Sequence, residues 1–303
     1  MTDIRYDGRV AIVTGAGAGL GRSHALFLAS RGAKVVVNDL GGSVDGSGGS
    51  GKAADDVVAE IRAAGGEAVA NHDAVGTPET GRSIVQTALD TWGQVDILIN
   101  NAGILRDKSF AKVDAADFQA VIDVHLMGAV WCTHAAWPVM QERNYGRVVM
   151  TTSAAGLYGN FGQANYGAAK LGMVGLMNAL KQEGRKSNIN VHTVAPIAGT
   201  RMTKGIVPDQ VFEALKPELI TPVVGWFVAE ENEETGHIIE CGAGYYSKVE
   251  MVEGAGHHFG PTAAVTPEDL QANWAAITDM SAARPFPSAM EAIGAVFAGL
   301  PGA

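Results

Sequence analysis

The architecture of the chain is indicated first by the glycine-rich segment Thr14-Gly15-Ala16-Gly17-Ala18-Gly19-Leu20-Gly21. It follows a short apolar run at residues 10–13 and opens a helical pattern that continues to residue 30. Small residues at such a turn let the backbone bend sharply and approach a pyrophosphate, which then rests on the free N–H groups of the helix N-terminus. Any tight turn can contain glycines, but the position directly after the first strand predicts a nucleotide-binding turn formed by Gly15, Gly19, Leu20 and Gly21.

Apolar runs and helical patterns alternate along most of the chain. One helical stripe is Ala54, Val57, Val58 and Ile61, at the spacing of one helix face. Seven apolar runs predict strands, at residues 10–13, 34–38, 67–71, 95–100, 147–153, 190–195 and 237–241. Helical patterns over residues 52–64, 79–92, 114–140 and 164–184 separate them. This order predicts an α/β protein with a doubly wound, parallel, seven-stranded sheet, a Rossmann fold covered by helices on both faces.

Two segments depart from the alternation. Residues 41–51 are rich in Gly and Ser and predict a mobile surface loop between the second strand and its helix. After residue 246 the alternation stops, which predicts a catalytic domain at 1–246 and a C-terminal helical extension at 247–303. Thr266 and Ser288 each begin a helix-capping pattern. The apolar stripes that follow are Leu270, Trp274 and Ile277, and then Met290, Ile293, Phe297 and Leu300.

Composition limits the partners of the protein. The 303 residues carry a formal net charge of −10 without basic runs, so we expect no binding to nucleic acid or to anionic membranes. No apolar stretch has the length of a membrane span, and the N-terminus has no apolar signal segment, which favours a cytoplasmic location. Cys132 and Cys241 lie outside metal or redox spacing and are expected to be buried, reduced thiols. No metal site is expected.

Two acidic residues end predicted strands. Asp39 closes the second strand, near the spacing of the carboxylate that binds an adenosine ribose. A carboxylate there repels a 2′-phosphate, so it favours NAD over NADP; Asp39 can equally be a turn former, since Leu40-Gly41-Gly42 follows. Asp73, followed by Ala74, ends the third strand and is either a cap or a residue that touches adenine.

Ser153, Tyr166 and Lys170 form the candidate catalytic set. Tyr166 and Lys170 are one helical turn apart and face the same way. A lysine ammonium beside a tyrosine favours the phenolate, which can take a proton from an alcohol while a hydride leaves the carbon. Ser153 then holds the substrate oxygen. The Tyr-x-x-x-Lys spacing is common on ordinary helices, and only its combination with the glycine turn and Asp39 makes it decisive.

These motifs together resemble the short-chain dehydrogenase/reductase family. Gly15, Gly19 and Gly21 match its first motif, and Asn100-Asn101-Ala102-Gly103 matches the segment after its fourth strand. The resemblance covers residues 9–246 and implies that Asn100, Asn101, Ala102 and Gly103 lie along the cofactor and that Lys170 also binds the nicotinamide ribose.

Two positions differ from the commonest family pattern. His125 replaces an asparagine whose backbone carbonyl holds a relay water in the family; His125 is either a proton relay or a hydrogen-bonded helix residue. Pro196-Ile197 replaces the usual Pro-Gly after the sixth strand, beside the cofactor.

A narrower resemblance concerns the substrate. The chain is similar to the (3R)-hydroxyacyl-CoA dehydrogenase domain of the peroxisomal multifunctional β-oxidation enzyme. The similar stretches are residues 38–42, 101–110 (NAGILRDKSF), 159–166 (GNFGQANY), 183–188 and 198–203. This resemblance implies oxidation of a 3-hydroxyacyl-CoA to a 3-oxoacyl-CoA with NAD.

Two other functions remain open at this point. One is the same chemistry on a steroid or another secondary alcohol, and the other is a cofactor-binding regulator without catalysis. Arg201 and Lys204 are either cations for CoA phosphates or ordinary surface charges. Short-chain dehydrogenases associate through two long helices, here residues 114–140 and 164–184, which implies a homodimer or homotetramer. The short helices of the extension need a surface to bury their stripes, on the core or on a partner subunit.

Overall fold

The computed structural model describes residues 3–200, 208–261 and 263–297. Its centre is one sheet of eight strands in the order β3-β2-β1-β4-β5-β6-β7-β8. The strands are β1 Val10–Thr14, β2 Lys34–Asn38, β3 Glu67–Asn71, β4 Ile97–Asn100, β5 Gly146–Thr151, β6 Ile189–Pro196, β7 Ile238–Gly242 and β8 Tyr245–Val249. Neighbouring strands from β3 to β7 pair in parallel. The predicted doubly wound α/β Rossmann fold is therefore confirmed.

Helices connect the strands and cover the sheet. Before β6 they are α1 Gly19–Ser30, α2 Lys52–Ala63, α3 Pro78–Trp92, α4 Ala115–Ile122, α5 Gly128–Glu142, α6 Ala154–Tyr158 and α7 Ala164–Glu183. After β6 they are α8 Asp209–Ala214, α9 Thr221–Val228, α10 Pro267–Ala272, α11 Trp274–Ile277 and α12 Ala289–Phe297. Local signals set their ends: α3 begins at a capping box between Thr77 and Thr80 with Pro78 in its first turn, and ends at Gly93 with φ 72°.

The central strands are buried on both faces. Every residue of β1, β4 and β5 is buried, because helices cover both sides of a parallel sheet. Val, Ile, Leu and Met fill these strands, so the apolar runs that predicted them are the core itself. The strand order reverses between β1 and β4, and a ligand crevice forms at such a reversal, beyond the carboxyl ends of the strands.

The prediction of seven strands was wrong by one. β8 follows β7 after the two residues Ala243 and Gly244, which both have positive φ, and so short a connection returns the chain antiparallel. The strand is largely exposed, with Tyr245 at 63 % and Tyr246 at 45 % of their full accessibility. An exposed edge strand carries no buried apolar run, which is the signal that revealed the other seven.

The helix predicted over residues 114–140 is interrupted. A π-helical turn, Asp123–Met127, separates α4 from α5, and the N–H of Gly128 bonds back to the carbonyl of Asp123. Such turns insert an extra residue into a helix and re-aim the side chains around it. Here the turn carries His125, which is 2 % exposed.

The chain divides into two compact units, Met1–Lys248 and Val249–Ala303. In the second unit Thr266 caps α10 through a capping box with Asp269, and Ser288 accepts the N–H of Glu291, as the sequence predicted. Backbone bonds between Glu253 and Arg284, both 3.0 Å, close the unit on itself. Leu300, one member of the predicted stripe, lies outside the described residues.

Among the helices of the described ranges, none combines the length and the apolar character of a membrane span.

Candidate active site

A cavity of about 740 Å³ runs along the carboxyl ends of the strands in the first unit. Nearly all the residues that sequence reasoning assigned to the site line it. They are Gly15, Gly19, Leu20, Asp39, Asp73, Ala74, Asn101, Ala102, Gly103, His125, Ser153, Tyr166, Lys170, Pro196 and Ile197. Gly21 does not line the cavity. A Cβ there would lie 2.3 Å from the carbonyl oxygen of Gly15, so this glycine lets α1 pack against the turn.

The start of α1 is open to a ligand. Ala18 is its N-cap, and no side chain caps the first turn, which also contains no acidic residue. Free N–H groups at a helix N-terminus attract an anion. Gly15 and Gly19 have φ of 63° and 55°, a backbone region that glycine enters without strain. The turn is therefore shaped to receive phosphate oxygens.

Thr14 and Asn101 clasp this turn to the next strand. The Thr14 hydroxyl accepts the N–H of Asn101 at 3.0 Å and that of Ala102 at 3.1 Å. In return, the Asn101 amide donates to the carbonyls of Thr14 and Gly15, at 2.9 and 3.1 Å. Asn101 thus acts on the cavity by positioning its floor. Asn100, expected along the cofactor, points away and donates to Thr133 at 3.0 Å.

Asp39 is fixed by two backbone donors. One carboxylate oxygen accepts the N–H of Gly17 at 2.8 Å, and the other accepts that of Gly41 at 2.7 Å. The bond to Gly41 is the turn-forming interaction, while the bond to Gly17 ties the carboxylate to the glycine turn. The turn-forming interpretation of Asp39 therefore describes a contact in the structure, while its binding of a ribose stays a prediction. Asp73 is held by a side-chain donor instead, since its carboxylate accepts the side-chain amide of Asn71 at 2.9 Å.

The glycine- and serine-rich loop at residues 41–51 is part of the cavity wall. Ser43, Val44 and Gly46 line the cavity. The N–H of Leu105 donates to the carbonyl of Val44 at 2.9 Å, and the Arg106 guanidinium donates to the carbonyl of Asp45 at 3.0 Å. The sequence predicted a mobile surface loop here, but these bonds tie it to the segment that follows β4.

The structure brings Ser153, Tyr166 and Lys170 together in this cavity. Ser153 is the N-cap of α6 and not the end of β5, which stops at Thr151. The Lys170 ammonium donates to the Thr151 carbonyl at 2.5 Å and lies 5.4 Å from the centre of the Tyr166 ring. The Ser153 hydroxyl lies near the Tyr166 hydroxyl and lowers the pKa of Tyr166. α7 supplies Tyr166 and Lys170, and the end of β5 supplies the carbonyl that fixes the lysine.

Burial dominates the electrostatics of this cluster. Burial raises the pKa of Tyr166. The interaction with Ser153 lowers this pKa, and the negative charge of Asp107 raises it further. Burial also lowers the pKa of Lys170 to about 7. The sequence argument expected Lys170 to acidify Tyr166. In the structure both groups are desolvated, and desolvation disfavours the charged form of each.

His125 lies against this cluster. Its ring is 5.1 Å from that of Tyr166, edge to face. Nε2 is 2.8 Å from the carbonyl oxygen and 3.0 Å from the nitrogen of Ile104, and Nδ1 has no partner among the described residues. Burial and the nearby Lys170 charge hold the pKa of His125 well below its usual value. His125 is thus a neutral, hydrogen-bonded helix residue in contact with the candidate tyrosine.

Some residues at the site were not assigned from sequence. Tyr158, Asn160 and Gln163 line the cavity beside Ser153 and Tyr166. Asn160 and Gln163 lie in the quoted stretch GNFGQANY, where their polar character just before Tyr166 was the available signal. Arg201 and Lys204, the candidate cations for CoA, lie outside the described residues.

The fold and this site together define an enzyme class, the oxidoreductases that pair a dinucleotide-binding turn with a Ser–Tyr–Lys cluster. The sequence profile described as short chain dehydrogenase matches residues 9–211. The chain belongs to the short-chain dehydrogenase family and is an oxidoreductase. The resemblance predicted from the motifs is confirmed.

Known proteins resemble the chain over nearly all of its length. "Peroxisomal multifunctional enzyme type 2" of Drosophila melanogaster is 52 % identical over 293 residues, 96 % of this chain and 48 % of the relative. "Peroxisomal hydratase-dehydrogenase-epimerase" of Saccharomyces cerevisiae is 49 % identical over 278 residues, 91 % of this chain and 31 % of the relative. The chain thus spans half or less of the length of these relatives. A short-chain type dehydrogenase/reductase of Mycobacterium tuberculosis is 50 % identical, and the match covers 91 % of this chain and 96 % of that protein.

Two solved structures are also similar to this chain over most of its length. The full-length Drosophila melanogaster enzyme matches with a TM-score of 0.83 and 44 % identity, over 97 % of this chain and 49 % of that one. A 7α-hydroxysteroid dehydrogenase complexed with NADH and 7-oxo glycochenodeoxycholic acid matches with a TM-score of 0.72 and 26 % identity, over 80 % of this chain and 98 % of that one.

These relatives contradict the expected cytoplasmic location. The fly and yeast relatives are named as peroxisomal enzymes. The expectation rested on a missing signal segment and membrane span. Peroxisomal sorting depends on a short receptor-read address, which leaves no trace in the apolar pattern of a fold.

The contact between Gly103 and His125 yields a test. A Cβ at Gly103 would lie 2.3 Å from Cε1 of His125, so Gly103→Ala must displace the ring or the backbone beside it. We expect turnover to fall at least about tenfold, equivalent to about 1.4 kcal/mol, because the ring also packs on Tyr166. Steady-state kinetics and a thermal melt measure the effect. Gly294→Ala, where a Cβ meets nothing within 4 Å, is the control. Equal kinetics in both variants would show that the His125 position does not matter to catalysis.

Proposed function

We propose that this protein oxidises a 3-hydroxyacyl-CoA to a 3-oxoacyl-CoA, with NAD as the hydride acceptor. The observation that carries the proposal is a single cavity that holds the glycine turn, Asp39 and the cluster of Ser153, Tyr166 and Lys170. NAD joins a pyrophosphate to a reactive nicotinamide ring. The cavity likewise joins a turn that suits phosphate oxygens to a cluster of side chains that can transfer a proton.

The residues present fit NAD. The uncapped start of α1 suits the pyrophosphate, and glycines at 15 and 21 leave no room for a Cβ, which would lie 2.7 Å from Ala102 Cα and 2.3 Å from Gly15 O. Asp39 faces the cavity with both oxygens held by backbone donors, in the place of a ribose-binding carboxylate. Asp73, Ala74, Pro196 and Ile197 add contacts along the remaining wall. When bound, the nicotinamide supplies the carbon that accepts the hydride.

The chain's own residues then handle the proton. Ser153 donates a hydrogen bond to the substrate oxygen and keeps it beside the Tyr166 hydroxyl. Tyr166 as phenolate takes the proton from the alcohol as the C–H bond gives up its hydride, and the carbonyl forms. Lys170, fixed by the Thr151 carbonyl, places a cation near the phenolate as it forms. Lys170 is buried and Ser153 and Tyr166 are half-buried, so these interactions are stronger than they would be in water.

The substrate class is supported by the relatives and by the quoted stretches. The yeast relative's name joins a hydratase to a dehydrogenase. Hydration of a carbon–carbon double bond produces a secondary alcohol, the group that a dehydrogenase oxidises. The resemblance to the (3R)-hydroxyacyl-CoA dehydrogenase branch adds the acyl-CoA. The alternative, a steroid or other secondary alcohol, is favoured by the 7α-hydroxysteroid dehydrogenase neighbour, although at 26 % identity. A regulator without catalysis has no use for the complete cluster.

A substrate screen tests this function. We expect NADH formation with 3-hydroxyacyl-CoA esters at least tenfold more efficiently than with 7α-hydroxysteroids or simple secondary alcohols, measured as kcat/KM by absorbance.

Tyr166→Phe should lose nearly all turnover yet still bind NAD in a titration, because only the proton-transfer hydroxyl is removed. Retention of more than a few per cent of activity in Tyr166→Phe would refute the role of Tyr166 as the base. A preference of the unmodified enzyme for a steroid would refute the proposed substrate.

Cofactor choice is a second test. Two unit charges about 4 Å apart repel by about 4 kcal/mol at an effective dielectric of about 20, so Asp39 should disfavour a 2′-phosphate by two orders of magnitude or more. Asp39→Ala and Asp39→Asn should narrow the ratio of kcat/KM for NAD over NADP. Asp56→Ala, an exposed carboxylate on α2 paired with Lys52, is the control. Equal efficiency with both cofactors in the unmodified enzyme would overturn this role.

We also propose that the protein is a homodimer or homotetramer, with residues 1–246 as the catalytic domain and 247–303 as an extension that helps form an interface. Helix α7 presents a row of exposed small or apolar residues at helical spacing, Ala164, Ala168, Leu171, Gly175 and Ala179. In the extension, large apolar side chains are exposed, namely Leu270, Trp274, Met290, Ile293 and Phe297. Apolar surface of this kind on a soluble protein marks a contact with another chain.

Deletion of residues 265–303 tests the extension separately from α7. We expect weaker association or lower solubility, together with reduced activity, because the surface that the apolar residues of α10 and α12 cover would be left exposed. Light scattering gives the mass and steady-state kinetics give the activity. A truncated protein with unchanged mass, solubility and activity would show that the extension contributes to none of them.

A further inference from the structure

A chain of three polar side chains borders the cavity beside Tyr166. The Gln163 amide donates to the Asp107 carboxylate at 2.7 Å, and the Gln163 amide oxygen accepts from the Asn160 amide at 2.9 Å. Gln163 and Asn160 line the cavity. Nothing in the proposed proton transfer uses these residues, although they lie next to it.

The carboxylate fixes the direction of the whole chain. An ionised carboxylate only accepts hydrogen bonds, so Gln163 must turn its NH₂ group toward Asp107. Its oxygen then has to face Asn160, which donates. Among the residues that the structure describes, these two bonds are the only ones of the Gln163 side chain, so one amide N–H remains to be used. Gln163 therefore offers a donor, in an orientation set by Asp107.

The position of that donor matches one part of the proposed substrate. Gln163 is the N-cap of α7, three residues before Tyr166, which is an axial separation of about 4.5 Å on one side of the helix. In a 3-hydroxyacyl thioester the carbonyl carbon lies about 2.5 Å from the carbinol carbon, given ordinary bond lengths and angles. A carbinol held at Ser153 and Tyr166 thus brings its thioester carbonyl within reach of a long side chain one turn away.

We propose that Gln163, oriented by Asp107, donates a hydrogen bond to the thioester carbonyl of the substrate and so selects 3-hydroxyacyl thioesters over alcohols that lack this carbonyl. This inference rests on the proposed function. It also assigns Asp107 a second effect, since a carboxylate beside the carbonyl site repels a free 3-hydroxy acid but tolerates a neutral thioester.

The first experiment compares two substrates in matched variants. The substrates are a 3-hydroxyacyl thioester of N-acetylcysteamine, which lacks the CoA nucleotide, and a 2-alkanol of similar chain length. Gln163→Leu should reduce kcat/KM for the thioester about tenfold or more, because a hydrogen bond is lost, while the alkanol changes less than about twofold. Gln163→Glu, which cannot donate as a carboxylate, should behave the same way. Gln86→Leu breaks an equivalent 2.7 Å Gln–Asp bond on α3 and should change neither substrate.

Each outcome decides one question. Equal losses on both substrates would mean that Gln163 only supports the helix, and the inference would fall while the proposed function stands. A wild-type enzyme that oxidises no 3-hydroxyacyl thioester would overturn the proposed function and this inference with it. NAD titration and thermal melts of each variant show whether the fold and the cofactor site are retained.

A second experiment tests the role of Asp107 separately from that of Gln163. Asp107→Asn allows the Gln163 amide to turn, so discrimination between the thioester and the corresponding free 3-hydroxy acid should shrink severalfold. The groups that face Tyr166 are Ser153, neutral His125, Lys170 and Asp107, and the charge of Asp107 raises the tyrosine pKa. Its removal lowers that pKa, so the rise of oxidation rate with pH should begin at lower pH. Asp90→Asn on α3 is the control. Unchanged discrimination and an unchanged pH profile would remove Asp107 from the site.

Discussion

The clasp between Thr14 and Asn101 is the contact on which the site depends. The backbone groups just beyond the ends of parallel strands have no partners in the sheet, and at the reversal of strand order the connections from β1 and β4 leave in opposite directions, so side chains satisfy these groups. Four hydrogen bonds between these two side chains and the neighbouring backbone join β1 to the segment after β4. Each contributes only about 1 kcal/mol net, but together they hold Gly15 so close to Ala102 that a Cβ would lie 2.7 Å away. The floor of the cavity is therefore rigid before any ligand arrives.

The segment that starts at Asn101 connects the glycine turn to the other walls of the cavity through hydrogen bonds. Ile104 bonds to His125 on the π-helical turn, Leu105 bonds to the loop over the nucleotide half, and Asp107 bonds to Gln163 at the start of α7. Seven consecutive residues thus touch the glycine turn, the loop and both helices of the site. In the proposed complex, the cofactor at the loop and the substrate at Gln163 both contact groups that are bonded to this one short segment. The hydrogen bonds of the segment thus connect the two halves of the cavity, although the residues that line them are far apart in sequence.

The sequence predicts those parts of this arrangement that a local pattern encodes. Buried strands are apolar runs, the nucleotide turn needs its glycines, and Asp39, Tyr166 and Lys170 lie at recognisable spacings. Features that depend on distant contacts escaped prediction. β8 is an exposed edge strand, the π-helical turn leaves no gap in an apolar pattern, and the direction of Asn100 depends on Thr133, thirty-three residues away. The loop at residues 41–51 has the composition of a mobile segment, and only its bonds to Leu105 and Arg106 make it a wall. The polar chain from Asp107 to Gln163 joins segments fifty-six residues apart, which no spacing rule covers.

Burial of Tyr166 and Lys170 explains why the cluster needs such a scaffold. A lysine pKa lowered from 10.5 to about 7 corresponds to roughly 5 kcal/mol against the ammonium in the folded protein. Since the unfolded chain binds this proton more tightly, the cost is full below about pH 7 and fades as pH rises toward 10.5. Tyrosine is disfavoured as phenolate in the same way. The two charges have opposite sign, however, so the penalty on either one falls when the other forms beside it. Desolvation disfavours each charge alone, so the scaffold has to hold Tyr166 and Lys170 close together if the proposed proton transfer is to be favourable.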